Sequence, residues 1–294
     1  MSGSRAIGRD VHFYLFSDPD KPLGGLRLNP SITAKVFLSM LETLIVASGR
    51  YRVTLRSTGY DLKPTDDALK PGDYDIRPYS RGVKIAITDE PCITRILSRT
   101  ITGRDDFFRA RIRERDGKCT ITGVLNKGAY RNVWVGFEAA HVLPISSEQY
   151  WIQKGYSRWI TNRVGERDTG INSSQNGLLM LSHVHQKFDS FSFSINPDDG
   201  YKIICFDEDD FGIDGRILES SSQESSGPAG VRDELLRWHF RQAVLANMRG
   251  AGEPLYEMDF PPGTDMMGEI LSGPEPGKRM EAELFSRFGS VHIV

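Results

Sequence analysis

The chain has 294 residues, of which 39% are hydrophobic and 26% are charged, and its formal net charge is −2. This balance is typical of a globular protein and excludes a wholly disordered chain. The length allows one large domain or two modest ones. Because the net charge is close to zero, the chain has no global attraction to nucleic acid, and nucleic-acid binding would need local basic surface.

The cysteines and the hydropathy of the chain indicate its cellular location. Cys92, Cys119 and Cys205 are far apart and no Cys-x-x-Cys pair occurs, which excludes a four-cysteine structural zinc site and argues against a disulfide framework. The amino terminus lacks the apolar run of a signal peptide, and no segment approaches membrane-spanning length. The sequence therefore predicts an intracellular protein, cytoplasmic or nuclear, that does not contact a membrane.

Residues 1–104 predict an N-terminal α+β region. Aromatic and apolar residues cluster at 11–16 and at 51–58 as in strands, and apolar residues at 36–45 repeat at helical spacing. Nothing in this region is typical of a catalytic motif. We expect it to act in packing or in partner binding.

Residues 105–218 predict a central module that begins with an arginine-rich helix. A short strand follows near Cys119, and a longer strand is predicted over 132–142. The residues between 146 and 174 are polar and weakly periodic, as in a long loop. The module then continues with a strand at 178–181, a helix at 183–190 and a hairpin that turns at 196–200.

The C-terminal part predicts a linker, a helix and a tail. Residues 219–230 are rich in serine and glycine and predict a flexible linker. Residues 231–294 predict a helix over 231–248 packed on the core, followed by an acidic tail. The acidic tail is a candidate contact for a protein partner.

Four residues of the central module have the spacing expected of a phosphodiesterase site. His141 ends a predicted strand, Asn176 precedes the next strand, and His185 and Asp189 lie four apart on the following helix. A histidine suits general-base chemistry near neutral pH, and side chains at i and i+4 on one helix face can reach a single divalent ion. An asparagine at a strand end can bridge backbone groups and fix the loop that carries the base.

The motifs around these residues resemble the HNH endonuclease family, and more closely its variant in fungal proteins. The resemblance covers residues 119–206 and depends on four motifs: Cys119-x-Ile-Thr-Gly123, Ala140-His141-Val-Leu-Pro144, Asn176-Gly177-x3-Leu181 and His185-x2-Phe188-Asp189. It implies an α+β fold with a central ββα-metal module between the N-terminal α+β region and a C-terminal helical region. It also implies His141 as general base, Asn176 as orienting residue, His185 as metal ligand and Asp189 as a second ligand or a buffer for the site.

One position departs from the family pattern. Many HNH nucleases carry a metal-binding histidine or aspartate directly before the base, where this chain has Ala140. Glu138 lies three residues before His141, and on a regular strand it points to the opposite face, so we expect it to help only if the strand bulges. The expected cofactor is a divalent ion (Mg, Mn or Zn), held with the help of water and substrate phosphate, with a metal-free site as the alternative.

Two groups of basic residues are candidates for substrate binding. Arg109 and Arg113 share a face of the predicted helix 105–118, which also carries Arg111 and Arg115, and could contact phosphates. In the loop, basic residues alternate with aromatic ones, a composition that suits stacking and backbone neutralisation; the candidates there are Lys154, Arg158, Trp159 and Arg163. Arginines beside Glu114 and Asp116 are usually part of a solvated helix face. For the loop group, a loop anchored on the core by its aromatics is an equally good interpretation.

The first hypothesis is thus a metal-dependent HNH-type nuclease that hydrolyses phosphodiester bonds of DNA. A second hypothesis is a catalytically degenerate HNH-fold binding protein, which the alanine at position 140 and the acidic balance favour. A third is an HNH scaffold recruited for small-molecule acid–base chemistry without metal. Metal retention and chelator-sensitive nicking of plasmid would separate the three.

Overall fold

The computed structural model describes residues 4–93, 103–163, 165, 168–224, 227–253, 265–272, 276–277 and 280. The fold is α+β, as the sequence predicted. The strands are β1 (Val11–Leu15), β2 (Asp18–Leu26), β3 (Ile45–Ala47), β4 (Tyr51–Leu55), β5 (Gly72–Pro78), β6 (Ile85–Ile87), β7 (Phe137–His141), β8 (Gly177–Leu181), β9 (Phe193–Asn196) and β10 (Lys202–Cys205). The α-helices are α1 (Ala34–Leu44), α2 (Gly103–Asp116), α3 (Glu148–Gln153), α4 (Ser182–Asp189), α5 (Asp233–Met248) and α6 (Met266–Ser272).

The N-terminal region is a four-stranded sheet covered by α1. The strand order is β2-β1-β5-β4, with β1 and β5 parallel and the other neighbours antiparallel. Thr33 caps α1 because its hydroxyl accepts a hydrogen bond from the Val36 amide at 3.2 Å. The apolar face of α1 then packs Phe37 against Phe13 and Tyr74 of the sheet.

The central module is built around the antiparallel pair β7–β8. Helix α4 begins at Ser182, directly after β8 ends at Leu181. Strands β9 and β10 then pair antiparallel around the turn at 196–200, which confirms the predicted hairpin. The order strand, strand, helix thus places His141, Asn176 and α4 within one compact unit.

The predicted loop between 146 and 174 carries more structure than its sequence indicated. It contains α3 and a short 3-10 helix at Tyr156–Trp159. Trp151 anchors the segment, since its side chain is fully buried and its indole N–H donates to the Thr169 carbonyl at 2.8 Å. The aromatic residues of this stretch therefore hold the loop on the core.

Helix α5 links the two parts of the molecule. Its first turns bury Leu235, Leu236 and Trp238 in the core of the central module. Further along, Ala243 and Val244 pack into the core of the N-terminal region. Because one helix contributes to both cores, the two regions are joined by a continuous apolar contact.

Residues 219–230 require a correction. The sequence predicted a flexible linker, but the described part of this segment is packed on the central module. Ser222 is fully buried and its hydroxyl donates to Asp116 at 2.9 Å, while the Val231 amide donates to the Ser222 carbonyl. The segment is held because its polar groups have buried partners, which composition does not reveal.

The acidic tail gives no structural test of the partner prediction. Helix α6 is described, but residues 254–264, 273–275, 278–279 and 281–294 lie outside the described residues. The predicted protein contact through this tail stays a prediction.

Candidate active site

The strand–strand–helix unit puts the candidate residues at its two ends. His141 is the last residue of β7 and pairs with Gly177, the first residue of β8. His185 and Asp189 lie on α4, which packs against both strands. The fold therefore places a strand-end histidine and a helix with a histidine and a carboxylate in one ββα unit, with His141 on the α2 side of β7 and His185 on the α4 side.

Asn176 is fully buried directly before β8. Its side-chain oxygen accepts from the Leu143 amide at 2.9 Å, and its amide group donates to the carbonyl oxygens of Leu143 at 2.9 Å and Ile171 at 2.8 Å. These three bonds fix the backbone that follows His141 and satisfy groups that burial would otherwise leave unpaired. The bonds hold the backbone after His141, and the orienting role of Asn176 in catalysis stays a prediction.

The ring of His141 is clamped between two neighbours. It stacks on Phe108 of α2 with a centroid distance of 3.8 Å and an interplanar angle of 6°. Its Nε2 lies 3.0 Å from the side-chain oxygen of Asn172. Gly177 makes this packing possible, since a Cβ there would lie 2.4 Å from the Phe108 ring. Asn172 was not among the predicted site residues, and its signal in the sequence is the polar run 172–176.

His185 lies between two carboxylates. Its Nδ1 is 2.7 Å from Oε2 of Glu138, and its Nε2 is 3.2 Å from Oδ2 of Asp189. The hydrogen bond from His185 lowers the pKa of Glu138, and burial opposes this shift. The side chains of His185 and Asp189 are 16% and 12% exposed, whereas that of Glu138 is 50% exposed.

Strand β7 pairs regularly from Phe137 to His141, without a bulge. Ala140 is fully buried in the same apolar cluster as Val184 and Phe188 of α4, so position 140 faces this helix. Glu138 lies two residues earlier and shares that face, opposite His141 as expected. The bulge on which the expected help of Glu138 depended is absent from this strand, and α4 instead brings His185 within hydrogen-bond distance of Glu138.

The donor atoms around His185 meet part of the requirements of a divalent ion. Among the residues that the structure describes, no group of three or more His, Cys, Asp or Glu side chains could hold one. The pair His185 Nε2 and Asp189 Oδ2 does fit, because metal–ligand bonds of about 2.1 Å separate two ligand atoms by about 3.0–3.4 Å, and these atoms are 3.2 Å apart. A nitrogen and oxygen donor pair suits Zn or Mn, with water and phosphate completing the coordination.

The predicted helix arginines line a groove of about 780 Å³ between α2 and the segment 129–134. Arg109 pairs with Asp106 at 2.5 Å, and the guanidinium of Arg113 lies 5.0 Å from the centre of the Trp134 ring. Burial and the neighbouring Arg109 lower the pKa of Arg113. The groove thus carries two arginines and two acidic residues, Asp106 and Glu114, and has an aromatic wall at Trp134.

Arg115 of the same helix is occupied in the interior. It pairs with Asp116 and donates to the carbonyl oxygens of Ser174, Gly177 and Ala229. These bonds tie α2 to the start of β8. Of the four arginines, Arg115 is therefore structural.

The predicted loop residues lie on the surface of the segment 154–163. Their aromatic contacts are local: Lys154 lies over Tyr150 at 5.9 Å, and Arg158 over Trp159 at 5.0 Å. Arg163 donates to the Asp168 carbonyl at 2.7 Å. The loop is tied to the segment 172–176, because the Thr161 amide donates to the side-chain oxygen of Gln175.

The strand pair β7–β8 followed by α4 has the order of elements of the ββα module that the sequence predicted, with a histidine at the strand end and a histidine–carboxylate pair on the helix. Residues 119–196 match the family model described as HNH endonuclease, and this part of the chain is a member of that family. Residues 8–82 match a second model, described as a domain of unknown function (DUF8573). No curated protein and no solved structure matches the chain. Among the described residues, no helix has the length and apolarity needed to cross a bilayer.

Proposed function

We propose that the protein is a divalent-metal-dependent nuclease that hydrolyses phosphodiester bonds of DNA. The observation that carries the proposal is the geometry of one unit within the HNH segment: His141 at the end of β7, and His185 beside Asp189 on α4. His141 is the proposed general base, and His185 and Asp189 are the proposed metal ligands. A bound divalent ion would neutralise charge on the phosphoryl oxygens and stabilise the leaving oxygen.

The protein's own residues would prepare the attacking water. A histidine can accept a proton from water near neutral pH. Stacking on Phe108 and the contact with Asn172 restrict rotation of the His141 ring, so that the base would need little reorganisation during the reaction. Asn176 would hold the following backbone in place through its bonds to Leu143 and Ile171.

The groove along α2 is the proposed surface for the nucleic-acid backbone. Arg109 and Arg113 of α2 line it, and the same helix carries Phe108, which stacks on His141. Lys154, Arg158, Trp159 and Arg163 are proposed as a second, peripheral contact. The arginines and the lysine of these two surfaces would supply local positive charge, which the overall charge of −2 does not provide.

Nicking of supercoiled plasmid by metal-loaded protein tests the proposal. His141→Ala should slow nicking by about 100-fold or more, the usual contribution of a general base, and a chelator should stop the wild type. His183→Ala is the matched control. His183 also lies on α4, but it is exposed and its ring lies beside that of Phe211. If His141→Ala nicks plasmid at the rate of the wild type, His141 is not the general base.

A second candidate function is a binding protein on a catalytically inactive HNH fold. Ala140 favours it, because this buried position faces α4 with no metal-binding atom. This candidate predicts DNA binding without nicking at any divalent ion concentration. The same plasmid assay, combined with a gel-shift measurement, therefore separates the two candidates.

An intracellular location, cytoplasmic or nuclear, completes the proposal. Cys92, Cys119 and Cys205 are free thiols, as is usual in a reducing compartment.

A further inference from the structure

The face of β7 that α4 covers carries one carboxylate. Ala140, on this face, is buried among apolar side chains and offers no ligand. Glu138 lies two residues earlier on the same face and contacts His185 instead. On this face the acidic group thus lies behind the helix histidine, two residues before the buried Ala140.

We propose that Glu138 is a positioning residue for the metal site: its carboxylate accepts the Nδ1–H bond of His185 and thereby directs Nε2 toward the cation that Asp189 shares. This inference rests on the proposed function, because it assumes that His185 and Asp189 hold a divalent ion. The sequence did not indicate this role, because Glu138 lies three residues before His141 and on the opposite face of the strand.

The distances from the His185 ring to its two carboxylate neighbours differ, and the difference indicates on which side of the ring a cation fits. Glu138 Oε2 and His185 Nδ1 are 2.7 Å apart, which is the length of a charge-assisted hydrogen bond and shorter than the roughly 3.0 Å minimum for two ligands of one ion. The 3.2 Å between His185 Nε2 and Asp189 Oδ2 lies within the range of shared ligands. The cation therefore belongs on the Nε2 side, and Glu138 belongs on the other.

The protonation pattern supports the same assignment. An ionised carboxylate can only accept hydrogen bonds, so the Nδ1 atom of His185 must carry the hydrogen in this contact. A carboxylate behind a ligand histidine fixes the ring and raises its basicity, and losing such a partner typically weakens metal binding by about 10- to 100-fold.

Calorimetric titration of the full-length, metal-free protein with ZnCl2 tests the proposal. Glu138→Ala should weaken Zn binding by about 10- to 100-fold. Glu138→Gln should have an intermediate Kd, because its amide oxygen still accepts the Nδ1–H bond without the charge. His185→Ala should remove measurable binding. Glu42→Ala is the matched control, since Glu42 is exposed on α1 and should bind Zn as the wild type does.

Cobalt absorption distinguishes a positioning role from direct ligation. At saturating Co²⁺, Glu138→Ala should keep the visible spectrum of the wild type, because the ligand atoms are unchanged. A wild-type Kd in Glu138→Ala would overturn the inference while leaving the nuclease proposal intact. An altered cobalt spectrum would make Glu138 a ligand and would also overturn it. If the wild type binds neither ion, the metal site of the proposed function fails, and this inference fails with it.

Discussion

The side chain of Asn176 bonds to both backbone groups of Leu143, accepting from its amide and donating to its carbonyl oxygen, each at 2.9 Å. Leu143 is two residues beyond His141, so the bonds clamp the chain where it leaves β7. A third bond, to the Ile171 carbonyl at 2.8 Å, ties in the approach to β8. One buried amide thus connects the strand that carries the candidate base with the segment that carries Asn172.

Asn176→Ala should destabilise the fold by about 2 kcal/mol or more, because it leaves buried backbone groups without partners. Urea unfolding of the purified protein measures this change. Asn176→Asp should be at least as harmful, since it replaces an amide donor by a charge beside two carbonyl oxygens. A midpoint unchanged in both variants would contradict the clamp.

Asn172 should influence catalysis more than stability. Its contact with Nε2 of His141 sits at a half-buried position, and it orients the ring on which the proposed base function depends. Asn172→Ala should lower kcat by about 10-fold, as expected for a misaligned general base. Asn172→Asp keeps an acceptor and should retain more activity than the alanine variant. Equal kcat in all three proteins would exclude the orienting role.

The order of elements around the site could be predicted from local signals. His141, Asn176 and the helix α4 follow one another within about fifty residues, and the turn residues at 196–200 predict the β9–β10 hairpin. The contact of Glu138 with His185 could not be predicted, because it depends on how α4 lies against β7. For the same reason the periodicity of the chain does not show that Phe108 stacks on His141, since these residues are on different elements.

The segment 219–230 illustrates the limit of composition more sharply. Its serines and glycines are typical of a flexible linker, yet Ser222 bonds to Asp116, a residue 106 positions earlier. Asp116 in turn accepts from Arg115 and from the Leu179 amide. A partner so distant in sequence leaves no local signal, and the contacts that hold the described part of this segment arise only in the tertiary fold.

Ser222→Ala should destabilise the protein by about 1–3 kcal/mol, because it removes a hydrogen bond from a buried carboxylate. Thermal unfolding measures the loss. Ser221→Ala is the matched control, since Ser221 is its exposed neighbour, and its melting temperature should equal that of the wild type. If the two variants have the same melting temperature, the described part of this segment does not contribute to stability as its contacts indicate.

Arg113 should contribute to DNA affinity through charge. It lines the groove beside Trp134, where it can meet a phosphate, and a lost phosphate contact lowers affinity for all sequences alike. Arg113→Ala should therefore weaken DNA binding and reduce the slope of log K against log salt by about 1. Fluorescence anisotropy with a short duplex, measured across a salt series, gives both quantities. Arg81→Ala, at an exposed position of the N-terminal region, is the control. Weaker binding with an unchanged slope would mean that Arg113 acts by packing on Trp134 and that the phosphate surface lies elsewhere.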